Sequence, residues 1–161
     1  MSKGFSLREM ALVLLICVLI AGGVCLLHSV NAFRLCGTLQ AEELEEIAEY
    51  VPEIESVLLQ RGNLYVTGYL AKPGKKVGSV RVRLGLLLDG QVILLNTEMV
   101  RRSDIAEKMA CDDHCGAAAA VRVADLTDGE YEIVFVDQLK KIIRTGNTLL
   151  IRDGDAEWKK S

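Results

Sequence analysis

The sequence predicts a transmembrane helix followed by a mainly-β domain, a sandwich, with an amphipathic helix linking the two. Three observations predict this. Met10 to Leu27 is an uncharged, almost wholly apolar run of eighteen residues. The segment after it is acidic, with apolar residues at helical spacing. From Leu64 onward the apolar period shortens to two, and turn signals recur about every ten residues. The expected boundaries are a cytoplasmic leader over 1–9, a transmembrane helix over 10–33, an acidic stalk helix over 34–62, a head over 63–153 and a tail over 154–161.

Composition narrows the function classes. At 161 residues, the chain fits one modest domain plus an appendage. Its net charge of −3 and pI near 5.5 give no basic stripe, so nucleic acid is excluded as a partner. Aromatic residues make up 5%, few for a sugar-binding face built on stacked rings. The mean hydropathy of +0.25 comes mostly from the N-terminal block.

That block, MALVLLICVLIAGGVCLL, is about 27 Å long at 1.5 Å per residue, close to the hydrocarbon thickness of a bilayer. Membrane lipid is therefore an expected partner. Lys3 and Arg8 precede the run and Arg34 follows it, which orients the N-terminus to the cytoplasm and the head outside. Three fates compete: an uncleaved anchor, a secretory signal cut near Val30-Asn31-Ala32, and a third that comes from a resemblance.

Gly4-Phe5-Ser6-Leu7-Arg8-Glu9, after a short basic leader and directly before the apolar run, resembles the N-terminus of type IV prepilins. The resemblance covers about the first 30 residues. It implies cleavage after Gly4, methylation of the new N-terminal Phe5, and a register role for Glu9. A carboxylate inside an apolar bundle is costly unless paired, and pairing with a neighbour's N-terminal amine satisfies it.

Ala41 to Leu59 holds seven glutamates and no basic residue. Leu44, Ile47, Val51, Ile54 and Leu58 recur at intervals of three and four, which predicts one apolar stripe on an acidic helix. Pro52 predicts a kink or a restart there. The glutamates read as a solvated face.

In the head, Leu64 to Tyr69 alternates as a strand ending at the turn Lys72-Pro73-Gly74-Lys75. Ser79 to Leu88 alternates most clearly, with Val80, Val82, Leu84, Leu86 and Leu88 on one face. Asp89-Gly90 predicts a two-residue hairpin returning through Val92 to Thr97. Ser103 is placed to cap a short helix running to Met109, with Asp104 in its first turn. Ala117 to Val123 and Tyr131 to Val136 read as strands, and Ile142–Thr145 with Thr148–Ile151 as a hairpin about Gly146-Asn147. The turn Leu126-x-x-Gly129-x-Tyr131 is similar to one in immunoglobulin-like extracytoplasmic modules, which implies an immunoglobulin-like β-sandwich of the bacterial envelope.

Chemistry concentrates in Cys111-Asp112-Asp113-His114-Cys115. Outside the cytoplasm, a local Cys111–Cys115 disulfide is the simplest reading; free thiols and a zinc site compete with it. The Cys-x3-Cys spacing lacks the second half-site of zinc ribbons, so no metal is assigned. Cys17 and Cys25 read as small hydrophobes, Cys36 as a bystander and His28 as an interfacial side chain. Arg101-Arg102-Ser103-Asp104 and Lys140-Lys141 read as a solvated basic rim. No nucleophile elbow or phosphate loop occurs, so neither an enzyme nor a cofactor is expected.

The expected function is a membrane-anchored extracytoplasmic structural subunit, pilin-like or pseudopilin-like, assembling with related subunits through its apolar helix. The alternative is an unprocessed single-pass envelope protein whose sandwich binds a protein or glycan partner.

Overall fold

The apolar N-terminal run forms helix α1, Leu7–Ala32, in a computed structural model that describes residues 7–75 and 81–161, except the side chains of 7–9, 11 and 26–30. The chain divides into two units, Met1–Ala32 and Phe33–Ser161. Among the described residues, no helix is long and apolar enough to cross a membrane. The continuous stretch of α1 with described side chains is 12–25. This corrects the expected transmembrane helix over 10–33, the single-pass placement with an extracytoplasmic head, and the prepilin-like N-terminus.

The second unit holds eleven strands among its described residues: β1 (Leu35–Gln40), β2 (Glu45–Glu46), β3 (Val51–Gln60), β4 (Asn63–Ala71), β5 (Val82–Leu88), β6 (Gln91–Leu95), β7 (Thr97–Val100), β8 (Gly116–Arg122), β9 (Gly129–Asp137), β10 (Lys141–Arg152) and β11 (Asp155–Lys159). A short helix, α2 (Ser103–Met109), lies between β7 and β8. One sheet runs β1-β6-β5-β9-β10-β11, with β2 added in parallel to β10. The other runs β3-β4-β8-β7. The inner faces meet in one core, where Ile54, Leu64 and Val66 of the smaller sheet pack with Leu84, Leu86, Tyr131, Phe135 and Leu149 of the larger. The domain is mainly β with two sheets. It fits an immunoglobulin-like arrangement only loosely, because the sheets hold seven and four strands and one pairing is parallel.

The acidic stalk helix is the largest correction inside this unit. Its span forms β2 and β3 instead, plus a 3-10 turn at Ala41–Glu43. Arg61 and Gly62, both with positive φ (51° and 73°), close a two-residue hairpin between β3 and β4, so Val51, Ile54 and Val57 find strand partners in β4. Pro52 lies on an edge strand, where its missing N–H costs no ladder bond. The glutamates are not merely solvated. Glu43, Glu45 and Glu46 face Lys140, Lys141 and Arg144 at 3.9, 3.9 and 3.4 Å, and Glu49 meets Lys72 at 2.5 Å. Lys140 remains largely exposed, while Lys141 is half-buried beside Glu45. The same segment lays Leu39, Ala41 and Leu44 over a second apolar cluster on the outer face of the larger sheet, formed by Val92, Leu94, Val134, Val136 and Ile142.

Two further expectations change near the C-terminus. Gly146-Asn147 is not a hairpin turn but part of a bulge within continuous β10: the register shifts between Arg144 and Thr148, where Thr145, Gly146 and Asn147 lie opposite the single residue Ile133 of β9. Thr145 Oγ1 holds it by donating to the Ile133 carbonyl at 2.5 Å and accepting the Asn147 N–H at 3.1 Å. The hairpin comes later, at Asp153-Gly154, and the expected tail is β11.

Between β6 and β7 the chain passes from one sheet to the other. Thr97 fixes the crossing, its hydroxyl accepting the Leu84 N–H at 2.8 Å and donating to the Leu95 carbonyl at 3.1 Å. At the Leu126–Tyr131 turn, the buried Tyr131 hydroxyl donates back to the Thr127 carbonyl at 2.8 Å, a corner that ties the entry of β9 to the core.

Candidate functional site

Two places concentrate surface chemistry. The first is the corner between α2 and β8. Ser103 does not cap α2; Arg102 holds the N-cap position without a side-chain cap bond. Its guanidinium clamps Asp104 instead, Nε to Oδ1 at 2.8 Å and Nη2 to Oδ2 at 2.7 Å. Arg102 Nη1 also bonds Glu55, and the guanidinium carbon sits 5.8 Å from the centre of the Tyr69 ring. The backbone joins in, with Arg102 N–H donating to the Asp113 carbonyl at 2.6 Å. Arg102 is thus a hub linking β3, β4, α2 and the following loop, not part of a solvated rim. A fork of five donors suits it to that role.

The hub sets local protonation. Hydrogen bonding to Arg102 lowers Asp104 to about 2, and bonds to Asp104 and then Glu55 push Arg102 upward. Arg101, bonded to Asp113 at 2.5 Å, holds that carboxyl below its usual range. Burial, then the nearby carboxylates Glu53 and Glu55, push Tyr69 upward.

Cys111 and Cys115 lie here as buried free thiols, packed with Tyr69, Ala71 and Ile105. Burial first, and then the Cys111 thiol beside it, push Cys115 up to about 11. Folding therefore favours the protonated thiol. The stability this contributes is present below the ordinary thiol range and is lost as pH rises through about 11. Urea titrations at pH 8 and pH 11 should show a smaller alkaline loss of stability in Cys115→Ala than in the parent chain. An equal loss in both would show that the thiol carries none of it.

Asp112, Asp113 and His114 bring ligand-type atoms within 4.8 Å of one another. Those atoms are engaged internally. His114 Nδ1 meets Asp113 Oδ1 at 2.8 Å, Asp113 Oδ2 takes Arg101, and Asp112 Oδ1 accepts the His114 N–H at 2.8 Å. The arrangement orders a loop.

The second place is α1. Every residue from 12 to 25 is exposed, the large apolar side chains from 46% at Ile16 to 66% at Leu14 and Leu19. Apolar residues occupy all faces of that stretch, as expected of a helix that is covered by something. Of the processing and assembly residues, Gly4 and Phe5 lie outside the described residues. Glu9 falls in α1, but its side chain lies outside the description too, as does that of His28.

No protein-family model, no curated protein and no solved structure matches this chain. Its surfaces carry the functional reading. The sequence singled out the Cys111–Cys115 loop but not Arg102 as a hub, because Glu55 and Tyr69 approach it only through sheet pairing. No local spacing signals such a contact.

Proposed function

We propose that this chain is a non-catalytic structural subunit that associates with further copies of itself through α1, leaving the β-sandwich available for a partner protein. One observation carries the reading: the exposed, charge-free apolar surface of α1 from 12 to 25. Water drives such surface into contact with other apolar surface, and a second copy offers an identical one. The candidate reactive groups support a non-catalytic role, since the Cys111 and Cys115 thiols are buried and His114 is spent on Asp113.

Co-purification of two differently tagged full-length copies tests this. The parent copies should purify together. Leu14→Glu/Leu19→Glu/Ile20→Glu places charges about 120° apart around the helix and should abolish co-purification, whichever face is used. Glutamate keeps helix propensity, so the β-rich circular dichroism should persist. Failure of the parent copies to co-purify, or undiminished co-purification of the triple variant, would refute the proposal.

A further inference from the structure

We propose that the head carries a binding pocket for a small organic anion with an apolar body, at the start of β5 on the larger sheet. A cavity of about 560 Å³ opens there, within the size range of small-molecule sites. Arg81, Arg83 and Lys140 line it, together with Leu94, Val136 and Asp137.

Strand geometry explains the grouping. Val82 and Leu84 of β5 enter the core, so Arg83 between them projects from the opposite face, and Arg81, just before the strand, is exposed and lines the same cavity. Arg83 pairs in register with Val136, which brings an apolar wall beside the guanidinium. Leu94 and Val136 belong to the buried cluster on this outer face, so the cavity has an apolar floor and a cationic rim.

Charge accounting separates Arg81 and Arg83 from the basic groups of the Arg102 hub and the β2–β10 edge. Arg101, Arg102 and Arg144 each meet a carboxylate at close range. Arg81 and Arg83 form no ion pair among the described residues, and Lys140 reaches only Glu43, at 3.9 Å. Residues 76–80, which precede Arg81, include no acidic residue. Asp137 is the one carboxylate lining the cavity, and its Oδ1 already accepts the N–H groups of Leu139 and Lys141 at 2.8 and 2.9 Å. Two exposed guanidiniums above an apolar floor match a carboxylate or similar oxyanion with a hydrocarbon body, since the fork geometry of Arg suits planar oxyanions.

Octanoate is the probe, with octanol as the tail-only and acetate as the charge-only comparison, in equilibrium dialysis against the full chain. Octanoate should bind at least tenfold more tightly than either comparison. Arg81→Gln/Arg83→Gln should weaken octanoate at least tenfold while leaving octanol unchanged; both side chains are exposed, so folding is spared. Equal binding of octanoate and octanol would overturn the proposal, because general apolar uptake, including by α1, would then account for it. Parent-like octanoate binding by the double variant would overturn it too. Neither result depends on whether copies of the chain associate.

Discussion

Leu84→Asp should abolish cooperative unfolding of the β-rich unit. Leu84 is fully buried, faces Phe135 across the β5–β9 ladder, and lies where the chain crosses between sheets, its N–H held by Thr97. Two costs combine. Removing the leucine forfeits about 2–5 kcal/mol of transfer and cavity energy. Burying the carboxylate adds several kcal/mol more, whether it stays charged or takes a proton. Together these approach the whole stability of an ordinary domain, about 5–15 kcal/mol. Leu84→Met, which conserves volume, should lose under about 1.5 kcal/mol. Urea unfolding followed by far-ultraviolet circular dichroism checks both. A sharp, parent-like transition in Leu84→Asp would mean this strand does not face the core.

Gly68→Ala should be nearly as damaging, although it adds one methyl group. A Cβ at Gly68 would lie 2.2 Å from the Glu53 carbonyl oxygen and 3.2 Å from Ile54 Cα, both backbone atoms that no rotamer change can move aside. The cause is the bulge in β3, where the register slips between Ile54 and Ser56 opposite Gly68 and Thr67. Glu55 is the extra residue, and the bulge turns it toward Arg102. The alanine must push β3 away from β4, breaking that junction, at a cost of about 3 kcal/mol or more. Gly62→Ala is the informative contrast. Its Cβ would meet nothing within 4 Å, so only the φ of +73° is strained, and about 1–2 kcal/mol should be lost. Similar losses in the two variants would contradict the close approach at Gly68.

The head's strands were legible where alternation and turn chemistry agreed. β5 alternates cleanly before Asp89-Gly90, whose two positive φ values close its hairpin, and α2 runs from Ser103 to Met109 as its pattern implies. Where the two signals conflicted, the helical period misled. Leu44, Ile47, Val51, Ile54 and Leu58 suit a helix stripe, yet Leu58 is exposed while Ile54 is buried, because a hairpin to β4 and a bulge decide their faces. Asp153-Gly154 repeats the Asp89-Gly90 signal, and the strand it leads into, β11, falls within the expected tail. The Arg102 hub and the Arg81–Arg83 pocket were not legible, since both arise from strands paired across long separations.

Sedimentation equilibrium of the full-length chain tests the central claim most directly. Association through α1 predicts an average mass above the 17.6 kDa of one chain, rising with concentration, and a return to 17.6 kDa in Leu14→Glu/Leu19→Glu/Ile20→Glu. A parent chain that stays at 17.6 kDa at every concentration, with α1 helical and exposed, would contradict it.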